Sequence, residues 1–388
     1  DLAQIQWRRI AAGLYEPLGL LVYNGTKILV RARKGIIHLV DSDRNGETDF
    51  YEMFYEEPGE IGPGYHAFIF DLVADPDGNL YYTKSGRKAP HPGGVIRYTP
   101  HTGKTTTLAG DFRHPNGLGY GGPHKWLTVS DNPSGKAIYD GASIVREGKS
   151  YGYLHNRTEP MLYVLPPAVD SSSGSHAWAP KTWGPLGNTL IHTSYSRSNA
   201  FYVLVQNAKP HPNGFAVKFP FKFKSGPMRT RVNHRRDNNV YILGKRGWDS
   251  GAVQDGCLYR LRHVGGPTAL VTGARAVDGG IELTFSCDLD PDTVEKEAFS
   301  ARRDGKHKSN RKMEIDGVEL LGKRTVHIAL PELAADVASL AQTDKKTGKT
   351  HYRTLDPIHL GIDIESDDGR EIYETVYATV NTLEPRKD

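Results

Sequence analysis

The sequence predicts an all-β protein, a β-propeller over residues 1–264 followed by a small Ig-like β-sandwich over residues 268–388. Three observations lead there. Glycine (42), proline (24) and tyrosine (20) are abundant, which suits many short strands joined by turns better than long helices. A unit made of a turn and a short apolar strand recurs through the first 264 residues. After Gly265-Gly266-Pro267 that texture gives way to alternating strands that open with Gly280–Ser286 (GIELTFS) and DLDPDTV.

The repeating unit can be followed along the chain. Ile28-Leu29-Val30 follows NGTK, Leu80-Tyr81-Tyr82 follows DPDGN, and Trp126–Val129 follows GGPHK. Thr189-Leu190-Ile191 follows GPLGN, and Val240-Tyr241-Ile242 follows RRDNN. Their starts lie 46 to 63 residues apart, the period of a four-stranded blade. Units continue into a second strand at Gly35–Val40, Gly94–Tyr98, Phe201–Val205 and Leu258–Arg262. Five blades are countable, and the longest interval leaves room for a sixth. Trp7–Ala12 (WRRIAA) is expected to complete the last blade and close the ring, which would remove exposed sheet edges. Glu332–Gln342 reads as a short helix in the second unit.

Bulk composition narrows the function classes. The chain of 388 residues has a net charge of +4 and a pI near 8.8, with basic runs at Arg229–Arg236 and Arg302–Lys312. That field favours anionic partners, but no recognition module for nucleic acid accompanies it. Mean hydropathy is −0.52, and no apolar run approaches the ~18 residues of a membrane helix. The start at Asp1 resembles a trimmed mature chain, so a periplasmic or secreted location is expected. Cys257 and Cys287 either pair across the domain junction or stay as two thiols.

Residues 41–52 read D-S-D-R-N-G-E-T-D-F-Y-E. Asp41, Asp43, Asn45 and Asp49 supply side-chain oxygens, Glu47 a backbone carbonyl, Gly46 the sharp turn, and Glu52 the twelfth position. This is the oxygen-rich spacing that Ca²⁺ requires. Strands flank it, so the expectation is a structural calcium on a β-hairpin.

A second group is scattered in sequence. His66 begins the inner strand of the second blade, His114 precedes the third, Asp131 and Asn132 end a strand, and His192 lies near Tyr195 and Arg197. Asn116 lies in the same stretch as His114, and Lys84 and Arg87 supply positive charge. Inner-strand starts converge on one face of a propeller, so these residues are expected to share a pocket there. A histidine and an arginine in such a pocket suit proton abstraction from a sugar hydroxyl.

The stretches GLYEPLGLLV, IIHLVDSDRNGETDFYE, PGYHAFIFDLVADPDGNLYYTKSG, FRHPNGLGYG, AVDSSSGSHAW and GWDSGAVQDGCLYRLRHVGGP resemble the glucose/sorbosone dehydrogenase-like propellers of planctomycetes and their relatives. The resemblance spans nearly the whole chain. It implies an exported propeller, a carbohydrate substrate and a cytochrome c electron acceptor. It also implies pyrroloquinoline quinone with calcium, and a histidine base corresponding to His66. The glutamine-like position of that family is His176 here, which opens the alternative of a transition metal. Three readings follow: a sugar oxidoreductase with His66 as base, a lyase or hydrolase on an acidic polysaccharide, and a glycan-binding propeller without turnover.

Overall fold

The computed structural model describes residues 6–386 except 59–66, 87–92, 133–138, 154–156, 249, 305–310, 335–340, 344–347, 349 and 353–355. Sheet 1 comprises β1 (Gly19–Tyr23), β2 (Lys27–Ala32), β3 (Gly35–Val40) and β4 (Phe50–Glu56). Sheet 2 comprises β5 (Ile69–Ala74), β6 (Leu80–Lys84), β7 (Gly93–Thr99) and β8 (Lys104–Phe112). Sheet 3 takes β9 (Pro115–Gly121), β10 (Trp126–Asp131) and β11 (Asp140–Ile144). The chain then returns to sheet 2, where β12 (Lys149–Ser150) pairs parallel to β8, and comes back to sheet 3 as β13 (Tyr163–Leu165). That excursion accounts for the longest interval in the repeat.

Sheet 4 is β14 (Ser173–Trp178), β15 (Leu190–Ser194), β16 (Asn199–Gln206) and β17 (Asn213–Lys218). Sheet 5 has three strands, β18 (Gly226–Val232), β19 (Val240–Lys245) and β20 (Gly256–Leu261). All five apolar strands read from the repeat are the second strands of these sheets.

The second unit contains β21 (Val271–Val277), β22 (Gly280–Phe285), β23 (Phe299–Arg303), β24 (Arg311–Lys312), β25 (Gly317–Leu321) and β26 (Thr325–Ala329). It ends with β27 (Ala341–Thr343), β28 (Thr350–Tyr352), β29 (Ile358–Glu365) and β30 (Glu371–Thr379). Strand β30 pairs with β17, with Ala216 opposite Tyr377, so one eight-stranded sheet runs through both units. Phe215, Val217, Ile281, Leu283, Ile328, Leu360 and Val376 share a single core. The second unit is therefore fused to the outer edge of sheet 4, and that edge is covered.

Two expectations are corrected, and one open alternative is decided. Residues 7–12 form no strand and do not join sheet 5; the Ile10 carbonyl accepts from Thr48 N (2.9 Å), and the Tyr51 hydroxyl bridges Ala12 N and O (3.1 and 2.8 Å). Local bonding to sheet 1 outcompetes ring closure. Ala341 and Gln342, assigned to a helix from sequence, lie in β27, and 335–340 fall outside the described residues. Cys257 and Cys287 are both free thiols: the first lies against the Ser225 hydroxyl, the second is buried in the second unit's core.

Candidate functional site on the channel face

Antiparallel register fixes which residues meet. Gly19 lies opposite Arg31, Ile69 opposite Lys84, Pro115 opposite Asp131, Ser173 opposite Ser194, and Gly226 opposite Lys245. The starts of the five inner strands and the ends of the five second strands therefore come to one end of the sheets.

Below that end the axis is filled. Asp71 sits at a register shift in β5 with φ +61°, a left-handed conformation that aspartate tolerates better than most residues. Its buried carboxylate accepts from Leu118 N (2.8 Å) and Leu72 N (2.9 Å) and pairs with Arg231 of sheet 5. Burial pushes its pKa up, but Arg231, Arg229 and the Leu118 amide together hold it below the usual carboxylate range. Arg229 donates to Asn116 Oδ1 (3.0 Å), and Asn116 Nδ2 donates to the Ser173 carbonyl (2.9 Å). The inner strands approach so closely that a Cβ on Gly117 would lie 2.4 Å from Ser175 Cα, and one on Gly19 would lie 2.5 Å from the Asp71 backbone. Together these contacts form a polar floor across the inner strands.

On that floor lies a relay of buried carboxyls. Ser173, first residue of β14, donates its backbone N–H to Asp140 Oδ2 (3.2 Å) and its hydroxyl to Asp170 Oδ2 (2.8 Å). Asp170 also accepts from Ser194 Oγ (2.5 Å) and Ser172 N (3.2 Å), and its Oδ2 bonds His192 Nε2 (2.9 Å). Donors converge on both of its oxygens, the pattern of an ionised carboxylate. Asp140 has one such donor. Burial, reinforced by the negative charge of Asp170 and Asp131, raises its pKa well above the ordinary value. Asp131 accepts the backbone N–H of His114 (2.7 Å) and of Arg113 (3.1 Å), and burial raises its pKa too.

The structure brings His114, Asn116, Asp131 and Asn132 to this cup, where Asn132 Nδ2 donates to Ser172 Oγ (2.8 Å). His192 and His176 turn away from solvent into the seam between sheets 3 and 4, with rings 6.5 Å apart. His176 Nε2 bonds the Thr128 hydroxyl (2.7 Å), and burial with His192 nearby depresses its pKa to about 3. Both rings are fully buried, so the structure places them in this seam and not at the open end of the sheets. Lys84 is committed to Glu57, which also binds Arg31 (2.5 Å) and Tyr82 (2.7 Å). Arg197 is exposed and donates to the Pro167 carbonyl (2.6 Å), while the Tyr195 hydroxyl donates to the Trp248 carbonyl (3.4 Å); neither touches the relay. His66 and Arg87 lie outside the described residues.

Asp71, Asp140, Asp170 and Ser173 escaped the sequence reading. Their signal was present: Asp71 interrupts the apolar run FIFDLVA, and a charge inside a strand buried on both faces needs a partner there.

The acidic loop is separate and exposed. Oxygens of Asp41, Asp43 and Asp49 lie within 4.8 Å of one another, which is the diameter of an oxygen shell of radius about 2.4 Å around Ca²⁺. Asn45 and the Glu47 carbonyl lie on the same turn, and Gly46 (φ +86°) makes its bend. Glu52 departs from the set; it stands opposite His38 on the neighbouring strand and bonds its Nδ1 (3.0 Å). The donor chemistry fits calcium. It is the only cluster of three such ligands among the described residues. Arg113 and Arg157 stand beside Asp131, so the charge around the carboxyls of the cup is mixed.

No protein-family profile matches the chain, and no curated protein matches it. Among solved structures it is similar to a glucose dehydrogenase (TM-score 0.48, 13% identity, covering 66% of this chain and 84% of that one). It is also similar to the soluble aldose sugar dehydrogenase of Escherichia coli in its apo form (TM-score 0.39, 11% identity, 64% and 96%). A third is the calcium-binding protein regucalcin of Agrobacterium tumefaciens strain C58 (TM-score 0.37, 13% identity, 59% and 68%). These are likenesses of chain course at low identity. Among the described residues no helix is long and apolar enough to cross a membrane, which says nothing of strands.

Proposed function

We propose that the protein is a carbohydrate-active propeller that performs acid–base hydrolysis of a neutral sugar linkage on the channel face. The observation that supports it is the group of buried carboxyls Asp131, Asp140 and Asp170 at this end of the sheets, the last two bridged by Ser173, with burial raising the pKa of Asp140 well above the ordinary value. Two coupled carboxyls in different protonation states are what glycoside cleavage needs. Asp140 gives its proton to the leaving oxygen as the bond to the anomeric carbon breaks. Asp131, whose two backbone amide donors and the nearby Arg157 and Arg113 favour its anion against burial, takes a proton from the water that attacks that carbon. Asp170 and His192 keep Ser173 oriented, so they act as positioning residues. Asn116 fixes the inner-strand start, and Asn132 and Ser172 offer hydrogen bonds to sugar hydroxyls.

Elimination from an acidic polysaccharide is the second reading, favoured by the basic chain and by Arg113 and Arg157 beside Asp131. Sugar oxidation would rest on His66 and Arg87. Calcium on the Asp41–Asp49 loop would supply charge neutralisation and local order at the sheet 1 hairpin, away from the cup. An exported location and an Ig-like second unit bracing sheet 4 complete this reading.

A panel of neutral aryl glycosides and oligosaccharides, assayed for reducing ends, tests it. Asp140→Asn should lower kcat at least about 100-fold, the size expected of a lost general acid. Sugar-dependent dye reduction after adding quinone and calcium, without hydrolysis, would replace this reading by the oxidoreductase.

A further inference from the structure

We infer that a cavity between sheets 4 and 5, sharing no lining residue with the cup, binds a small aromatic carboxylate. The cavity measures about 430 Å³, within the range of small-molecule sites. Its walls come from the turn Trp183–Leu186 between β14 and β15, the segment Phe219–Phe223 after β17, the end of β20, and the residues that lead into the second unit.

Those walls are aromatic. Phe219 and Phe221 stack (centroids 5.2 Å apart, planes at 22°), Phe221 and Phe223 meet edge to face (5.5 Å, 88°), and Phe223 tilts against Tyr259 (4.7 Å, 57°). Phe219 and Phe223 are buried, yet Phe221 between them is 40% exposed, so the row is open at its middle. Gly184 shapes another part of the lining. It sits at φ +59°, and a Cβ there would lie 2.4 Å from His263 Nε2, so only glycine leaves room for that imidazole.

The polar groups of the cavity are short of acceptors. Trp183 is 7% exposed, and its buried indole N–H meets no acceptor. A buried donor left in that state costs free energy until an acceptor reaches it. Lys222, Arg262 and His263 line the same cavity, and no ion pair holds any of them among the described residues. Arg260 lines it too, but it is committed to Asp237 and Tyr241. None of the lining residues is acidic.

These features select the ligand. An aryl body packs offset or edge to face against the phenylalanine row and gains more than its buried area alone would give an alkyl chain. A carboxylate supplies the acceptor for the indole N–H and the counter-charge for Lys222 and Arg262. A neutral sugar brings no such charge.

The probes are naphthoate, naphthylmethylammonium and decanoate, each titrated into the whole chain by calorimetry. Naphthoate should bind one to one and at least about 10-fold more tightly than either of the others. Lys222→Gln/Arg262→Gln, changed only at exposed positions, should weaken naphthoate at least about 10-fold at an unchanged Tm. The Trp183 indole N–H resonance, assigned by its loss in Trp183→Phe, should shift on titration with the midpoint that calorimetry gives. No saturable binding of naphthoate at millimolar concentration overturns the proposal. So does binding that leaves the Trp183 resonance unmoved or that the double variant retains. Equal binding of naphthylmethylammonium would remove the charge argument, and equal binding of decanoate the aromatic one; either also overturns it.

Discussion

Replacing Asp71 by asparagine isolates the charge that locks the axis. Asparagine matches the aspartate in size and tolerates φ +61°, so backbone strain changes little. What is lost is a fully buried anion facing Arg231, with Arg229 beside it. Two cations then lose their shared counter-charge, and breaking a buried pair from one side costs about 3–5 kcal/mol. Urea unfolding at pH 7, followed by tryptophan fluorescence, should show that loss at an unchanged m-value. Asp71→Ala should cost about 1–2 kcal/mol more, because alanine pays for the left-handed conformation. The pH dependence has a definite sign. Asp71 titrates lower in the folded state, so its stabilisation is full above the ordinary carboxylate range and is lost as pH falls through the depressed value. Asp71→Asn should flatten that acid limb. A loss below about 1 kcal/mol would refute the reasoning, since breaking a buried pair costs several times that.

Three further outcomes are expected. His176 titrates near 3 in the fold against an ordinary 6.5, so stability is full above 6.5 and falls by about 1.4 kcal/mol per pH unit below it; His176→Gln should flatten urea midpoints between pH 7 and 4. Glu374, raised to about 7 chiefly by burial, stabilises fully below its ordinary value and loses that contribution as pH rises through 7; Glu374→Gln should gain about 3 kcal/mol at pH 8, measured the same way. Millimolar Ca²⁺ should raise Tm and slow proteolysis within residues 7–12, which hang from Thr48 and Tyr51, and Asp41→Asn/Asp43→Asn/Asp49→Asn should abolish both effects.

The architecture was legible where local chemistry repeats. Each turn and apolar strand in the sequence became the second strand of a sheet, because the turn residues and the apolar triplet act within a few positions of each other. Long-range pairings left no such mark. Strand β12 returns to β8 and β30 joins β17 through partners 40 and about 160 residues away. Residues 7–12 carry a strand-like pattern, yet Thr48 and Tyr51 capture their backbone first. Asp131, Asn132, His114 and Asn116 could be placed at one end of the sheets from their positions at strand ends. Asp140 and Asp170 were missed, since an aspartate in a loop or at a strand start reads as a turn former until burial makes it chemistry. The histidines drew attention as titratable groups, but His176 and His192 became seam residues when sheets 3 and 4 closed over them.

The protonation state of Asp140 bears most directly on the proposed chemistry. Infrared difference spectra between the protein and its Asp140→Asn variant, taken across pH 4 to 8, read the carboxyl stretch of that side chain. A protonated carboxyl that persists at neutral pH is the expected result, given a buried acid flanked by Asp170 and Asp131. A carboxylate already formed at pH 5, titrating in the ordinary range, would contradict the assignment of Asp140 as the proton donor.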